Sequence, residues 1–520
     1  MTNSYDEVPY ESHPYAQTHP SRLAVVARLF GLDPPPVETA RVLELGAAAG
    51  GNLLPVAEAF PASWCVGIDL SARQVADGEQ FARRLGLKNL SLRHASITDV
   101  DDTYGTFDYV VCHGVFSWVP TAVREAILDV CARRLAPNGV AYVSYNTYPG
   151  WHMRGMIRDM MRYHALRFAD PKQRVGQARA LLDFLAQSCR QEGAYSTLLK
   201  SELEGVRKQA DHYLFHEHLE DVNDPVYFHQ FVAMAKTHNL RYLAEARVGT
   251  MITGNFGPDI QKTLQTLAAD QVQTEQYMDF LRNRMFRETL LVPAAVAPNW
   301  TIQPECVRAM HVASGGKVAT KAPPDARSDA PAQYQTRSGM TLSTNRPILK
   351  AAMQVLTGRW PGTVPFPELL DESRRLLDRG PDTADDDGKT LALGLVNTYI
   401  SSDLLEFHAA PLVISRAVGD RPAVLPSARL RAADGAVMVT NRRHELVKLT
   451  DLDQRLVPLL DGTRTRAELV EGMVAKAVGG DLKVARNDQP VTDEAAIREA
   501  LTAVLDPALS TLAAHALLVG

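Results

Sequence analysis

The chain has 520 residues, more than one hydrophobic core can hold, and reads as roughly two to four domains. Its 55 basic and 60 acidic residues are interleaved and leave a net charge of −5, so nothing in the charge demands a nucleic acid or an anionic membrane as partner. No apolar run approaches the ~20 residues of a membrane span. The first residues lack both the basic and the apolar part of a secretion signal. Five scattered cysteines without a CxxC pair predict free thiols in a reducing cytoplasm rather than disulfides or a zinc site.

In chain order, residues 41–145 alternate short apolar runs with helix-length segments. Strands are expected at 41–45, 64–68, 90–93, 107–112 and 140–145, with helices near 51–59, 71–85 and 121–135. That alternation implies a parallel sheet covered on both faces. Helices are expected over 152–210, 226–238 and 258–283, and the last two strands at 240–246 and 286–292. Tyr213-Leu214-Phe215 reads as strand or turn. The stretch 322–331, rich in Pro, Ala and Asp, reads as loop or linker. Beyond it come helices at 346–357, 365–378 and 387–404, a strand at 404–408, and a final unit with a helix-turn-helix pattern over 451–477.

The strongest chemical signal is Glu44-Leu45-Gly46-Ala47-Ala48-Ala49-Gly50-Gly51-Asn52, between a strand end and a helix start. Small residues there let the backbone approach a ligand closely. Asp69 ends the second strand, 19 residues after Gly50, where a carboxylate can accept both ribose hydroxyls. It can also serve as a helix cap near Ser71. The spacing is ExGxAxG rather than GxGxxG. Glu44 would repel a pyrophosphate but suits a cationic cofactor, and this favours S-adenosylmethionine over a dinucleotide.

With these residues the stretch 41–145 resembles a class I S-adenosylmethionine-dependent methyltransferase. The likeness implies that Glu44, Gly46, Ala48, Gly50 and Asn52 form the cofactor loop. It makes Asp69 the ribose ligand, with Leu70, Ser96 and Ile97 beside the adenine. Ala48 stands where a glycine is usual, which is tolerable if its φ is not positive. A narrower resemblance rests on Tyr5-Asp6-Glu7-Val8-Pro9-Tyr10, Gln17-Thr18-His19-Pro20, Tyr145-Asn146-Thr147-Tyr148-Pro149-Gly150-Trp151-His152, Tyr213-Leu214-Phe215-His216-Glu217-His218-Leu219-Glu220 and Thr440-Asn441-Arg442-Arg443-His444-Glu445. These are similar to bacterial methyltransferases with a methyltransferase regulatory domain, a group that includes lysine methyltransferases of outer-membrane proteins.

The expected fold is therefore α/β. A Rossmann-like core over 1–295 carries helical insertions at about 152–222 and 250–283. A middle domain (296–410) and a winged-helix-like α+β domain (411–520) follow. By likeness, the first insertion implies a homodimer. Tyr5, Tyr10 and His19 are candidates for a lid over the cofactor.

Methyl transfer is an in-line displacement that needs alignment rather than a covalent catalyst. A lysine acceptor must lose a proton, which an aromatic, desolvated pocket favours. Phe116 and Trp118 after the fourth strand, and Tyr145, Asn146, Tyr148 and Trp151 after the fifth, are the positioning candidates. Phe116 and Trp118 fit core packing equally well. His113 either contacts the methionine portion of the cofactor or caps a loop. The histidines His212, His216, His218 and His229 lack the partners of a metal site, so none is expected. The Asn/Asp-Pro-Pro-aromatic tetrad of amide and adenine-amino methyltransferases is absent; Cys112-His113-Gly114-Val115 stands there. The expected activity is methyl transfer to protein lysine. A small-molecule methyltransferase and a non-catalytic cofactor-binding protein are the alternatives. The acidic residues Glu468, Glu471 and Asp481 dilute the basic charge a DNA-binding helix would need.

Overall fold

The computed structural model describes residues 12–189, 193–320, 324–486 and 489–519. Tyr5 and Tyr10 lie outside them. Seven strands form the central sheet: β1 (Arg41–Leu45), β2 (Trp64–Asp69), β3 (Leu90–His94), β4 (Phe107–Cys112), β5 (Leu135–Asn146), β6 (Leu240–Glu245) and β7 (Phe286–Pro293). Their order is β3-β2-β1-β4-β5-β7-β6. The strands β1 to β5 pair in parallel, and β7 runs antiparallel to both β5 and β6. The near-continuous apolar runs of β1, β2 and β4 suit strands buried on both faces. The strand order reverses between β1 and β4, and this opens a crevice at their carboxyl ends.

The sequence-based expectations need two corrections, at Tyr213–Phe215 and at the start of β5, and two refinements. Tyr213-Leu214-Phe215 is helical: an α-turn at Asp211–Leu214 runs into a π-turn at Phe215–Leu219. Leu214, Phe215 and Leu219 pack into the apolar core of the insertion helices Gly150–Ala165, Pro171–Ser188 and Ala194–Lys208, and this packing overrides the local pattern. The stretch 258–283 is two helices, Pro258–Leu267 and Gln271–Arg282, the second capped by Asp270 accepting from Gln273 N at 2.8 Å. The 322–331 stretch, where described, is a packed loop. The buried Lys350 ammonium donates to the carbonyls of Asp325 (3.2 Å), Ser328 and Ala330 (3.1 Å). Finally, β5 starts at Leu135, directly after the helix Thr121–Arg134, rather than at residue 140.

One apolar core joins the N-terminal helix Pro20–Leu29, one face of the sheet and the middle region. It includes Leu23, Phe30, Tyr142, Val307, Ile348, Leu391 and Phe407. The C-terminal unit has a core of its own, from Val424 to Leu518. It contains the helices Pro426–Ala433, Asp451–Leu456, Arg466–Val478 and Glu494–Ala514 and a hairpin of Met438–Thr440 with Leu446–Lys448. No helix among the described residues is long and apolar enough to cross a membrane.

Behind β6 and β7 lies a buried ion cluster. The Arg287 guanidinium donates to Asp279 (2.8 and 3.0 Å), Glu245 (2.9 Å) and Glu275 (3.1 Å). Arg284 adds a bond to Glu245 at 2.6 Å, and Tyr242 and Thr289 donate to Glu275 and Glu245. This cluster ties the helix Gln271–Arg282 to the sheet.

Candidate cofactor site

The loop after β1 turns sharply to bring backbone N–H groups to the crevice. Gly46 and Gly50 have φ of +80° and +74°. A Cβ at Gly46 would lie 2.5 Å from Val115 Cγ2, and one at Gly50 3.0 Å from Leu92 Cδ1. Only glycine fits at either place. Ala48 has a φ of +49°, so the condition for its easy acceptance is not met and the loop carries strain there. Its N–H is held at 2.8 Å by Asp69 Oδ2, while Asp69 Oδ1 accepts from Ser71 N at 2.8 Å. Asp69 therefore locks the loop to the end of β2. The helix cap is Ser71, which accepts from Gln74 N at 3.2 Å.

Glu44 is 3% exposed. Its Oε1 accepts from Asn52 Nδ2 at 2.8 Å, and its Oε2 meets no donor among the described residues. Burial raises its pKa to about 7; the Asn52 bond works against this and Asp69 adds to it. An orphaned, buried carboxylate oxygen beside a glycine loop is the feature a cationic ligand group would complete. The fit to S-adenosylmethionine, which bears an ammonium and a sulfonium and no phosphate, is good on this observation.

Residues 12–19 cross the loop. Ser12 Oγ accepts from Gly51 N at 2.7 Å, and Tyr15 N donates to Asn52 Oδ1 at 2.9 Å. The Tyr15 ring lies 3.9 Å from the His113 ring. His113 Nδ1 is 2.9 Å from Tyr142 OH and 3.3 Å from Ser144 Oγ. Burial, aided by Arg247, lowers the His113 pKa to about 3, so the ring is neutral. A neutral imidazole does not repel a sulfonium. His19, a candidate lid residue, instead caps the helix Pro20–Leu29 by accepting from Ser21 N at 3.1 Å.

Leu70 is 58% exposed at the end of β2. Ser96 and Ile97 are half-buried after β3, where Ser96 caps the short turn Ile97–Asp99. All three border the carboxyl ends of β2 and β3.

The acceptor-side candidates divide. The Phe116 and Tyr145 rings are core: both are fully buried against Phe231, with Tyr145 stacked on it at 4.0 Å. Alternation along β5 points Tyr142 and Ser144 toward His113 and sends Tyr145 to the other face. Asn146 is buried, receives Asn223 as partner at 3.1 Å and has its N–H on Ser117 Oγ. Trp151 is buried edge-on to the half-buried Trp118 at 6.0 Å. Tyr148 remains at the surface, stacked on His152 at 3.9 Å and beside Tyr227 at 5.3 Å.

Tyr15, Tyr142, Tyr227 and Phe286 are site-lining rings that sequence reasoning missed. Phe286 is 6.1 Å from His113, and its position at the start of an antiparallel β7 was the only signal. The four histidines do not converge. His216 pairs with Glu220 at 2.7 Å, His229 bonds Gln276 at 2.9 Å, and no group of three or more metal-ligating side chains occurs among the described residues.

Residues 42–139 match a family described as "Methyltransferase domain", residues 210–293 a "Predicted methyltransferase regulatory domain", and residues 420–517 the "PKMT, C-terminal winged helix domain". An uncharacterized protein of Rickettsia prowazekii (strain Madrid E) is 36% identical over 527 residues, covering 99% of this chain and 94% of its own. The structure of PKMT2 from Rickettsia typhi in complex with AdoHcy is 30% identical, covers 98% of this chain and all of that one, and gives a TM-score of 0.88. A second structure of the same protein gives 0.87. The chain belongs to this PKMT family of S-adenosylmethionine-dependent methyltransferases, with a class I Rossmann-like core, a regulatory domain and a C-terminal winged helix.

Proposed function

We propose that this methyltransferase modifies lysine side chains of a protein. The observation that supports a macromolecular acceptor is an exposed apolar rim at the carboxyl end of β5. Met153, Phe280, Met285 and Phe286 are each 38–47% exposed; Phe280 lies edge-on to Tyr227 at 6.1 Å, and Phe286 pairs with Asn146 at the end of β5. An open apolar lip suits a polypeptide better than an enclosed small molecule.

S-adenosylmethionine supplies a methyl group already activated by its sulfonium. Glu44 would hold the ammonium, the Gly46–Ala48–Gly50 backbone the methionine portion, Asp69 the ribose, and Leu70, Ser96 and Ile97 the adenine. His113, neutral and fixed by Tyr142 and Ser144, would flank the transferred group without taking a proton. Tyr15 closes over it. The lysine ammonium must lose its proton before transfer, and His113, its pKa lowered to about 3, is too weak a base to take it. The exposed Tyr163, Leu166, Phe184 and Tyr195 of the insertion helices would form a homodimer face.

The test is incubation with methyl-labelled cofactor and lysate of the source organism, followed by mass spectrometry. Label on lysine is expected; label confined to small molecules would overturn the proposal. Asp69→Ala should weaken cofactor binding about a hundredfold, from losing two charge-assisted hydroxyl contacts. Unchanged affinity by calorimetry would reject the site.

A further inference from the structure

We propose that His444, at the tip of the C-terminal hairpin, is a positioning residue of the cofactor site: through Asn52 it orients the Glu44 carboxylate that receives the cofactor's ammonium group. The inference rests on the cofactor reading above and gives the winged-helix unit a part in binding.

The hairpin of Met438–Thr440 and Leu446–Lys448 ends in the loop 441–445, which enters the core rather than solvent. The loop is rigid. Asn441 Oδ1 accepts from the backbone N–H of Arg443 and Glu445, each at 2.9 Å, and Asn441 Nδ2 donates to His515 O at 2.9 Å. Arg443 is buried over the Trp360 ring at 4.0 Å, donates to Pro361 O at 2.8 Å and shares Glu406 with Arg22. Its anchors, Trp360, Pro361 and Glu406, lie on the middle region, and Glu406 in turn binds Arg22 of the N-terminal helix. The next residue, His444, has a φ of +61°, a conformation histidine tolerates better than most side chains. That turn carries the ring across the domain boundary, where it is 4% exposed.

His444 Nε2 lies 2.7 Å from Asn52 Oδ1. An amide oxygen only accepts, so Nε2 carries the hydrogen. With this bond Asn52 is saturated. Its oxygen takes Tyr15 N and His444, and its Nδ2 gives to Thr18 Oγ1 (2.9 Å) and Glu44 Oε1 (2.8 Å). Four partners fix the amide plane, and the plane fixes which Glu44 oxygen is bonded and which is left open. His444 contributes the only one of the four partners that lies outside the N-terminal 52 residues.

The charged and titratable neighbours are few. Glu44 faces Asp69 on β2, and its charge acts on the thiols of Cys65 and Cys112; burial pushes Cys65 up to about 12 and Cys112 well above its ordinary value. His444 faces His19 at 5.0 Å and Arg22, and burial holds both imidazoles neutral. Glu44 is the member of this set poised near neutrality, so cofactor affinity should fall as pH drops through about 7. The Asn52 bond lowers the Glu44 pKa, so loosening Asn52 should move this acid limb upward.

The experiment uses the full chain and two probes, S-adenosylhomocysteine and 5′-methylthioadenosine, which shares the nucleoside but lacks the amino-acid portion. His444→Leu should bind the first about five- to tenfold more weakly, the value of one neutral hydrogen bond, and the second unchanged. Its acid limb should shift to higher pH. His444→Gln, which restores an N–H at similar reach, should recover both. Equal weakening of the two probes, or wild-type affinity with an unmoved acid limb, would overturn the proposal. So would the same loss in Arg84→Ala, which cuts only the surface pair Arg84–Asp434 (2.7 Å) between the same two units. A wild-type protein that shows no preference for the amino-acid portion rejects the Glu44 reading itself, and this one with it.

Discussion

Two buried acidic clusters stand on the same sheet and are finished in opposite ways. Behind β6 and β7, Glu245, Glu275 and Asp279 are neutralised by Arg287 and Arg284, and Tyr242 and Thr289 add further donors. At the end of β1, Glu44 has one neutral partner and an open oxygen. In the first arrangement the two arginines hold Glu245 below its ordinary pKa despite burial, while burial still raises Glu275 and Asp279; in the second, with no cation, burial pushes Glu44 up to about 7. A saturated cluster fixes architecture. An unsaturated one stores free energy that a ligand of the right charge can release.

The comparison breaks most visibly at Arg287. Removing it leaves Glu275 without a cation and Glu245 and Asp279 with Arg284 alone, so Arg287→Ala should lose on the order of 3–5 kcal/mol in denaturant unfolding. The loss should shrink at acid pH, where the stranded groups protonate. Cofactor affinity of the folded fraction should be unchanged. A loss below about 1 kcal/mol, or a defect confined to cofactor binding, would erase the distinction between the two clusters.

Glu44 should respond with the opposite sign. Its pKa in the fold lies above its ordinary value of 4.5, so ionising it costs stability. That cost is absent below the ordinary range, grows as pH rises toward about 7, and is complete above it. A shift of this size corresponds to about 3 kcal/mol. Glu44→Gln should therefore raise the unfolding midpoint of the ligand-free protein at pH near 8 and leave it nearly unchanged at pH below about 4. The same variant should bind S-adenosylhomocysteine about tenfold more weakly, having lost an ion pair to the ammonium. In the parent enzyme affinity should rise as pH increases through the Glu44 value of about 7, where the carboxylate ionises while the ligand's ammonium is still protonated. A Glu44→Gln protein less stable than the parent at both pH values would show that the orphaned oxygen stores nothing.

The two clusters also differ in how far the chain discloses them. Glu44, Gly46, Gly50 and Asp69 lie within 26 residues, on a strand, a turn and the next strand end, so local pattern places them together. The partners that orient Glu44 are not local: His444 is 392 residues from Asn52. The stretch 440–445 carries the family resemblance, but nothing in it names Asn52 as the partner of His444. Arg287 faces Glu245 from 42 residues away, and alternation along β7 gives its face but not its partner. Phe116 and Tyr145 read as pocket rings because both follow strand ends. Alternation along β5, with Tyr142 and Ser144 on the other side, assigns Tyr145 to the core and was available in the sequence. The β1–β5 order follows from the βα repeat, whereas the insertion of β7 between β5 and β6 depends on a long-range antiparallel pairing.

The smallest expected effect sharpens the comparison at the loop itself. Ala48 sits at φ +49° because its N–H is tied to Asp69, and a Cβ in the left-handed region costs about 1–2 kcal/mol. Ala48→Gly removes that strain, and the greater freedom of glycine in the unfolded chain offsets part of the gain. The net stabilisation should be about 1 kcal/mol or less. If the strain serves to hold the loop in its binding conformation, the glycine variant should also bind S-adenosylhomocysteine slightly more weakly, within about threefold, since a looser loop must be ordered on binding. Greater stability with weaker affinity would place the loop on the same footing as Glu44, where local free energy is held high for the ligand. Lower stability would mean that Ala48 Cβ contributes packing that outweighs its strain, and the loop would then belong with Arg287 among the features that only build the fold.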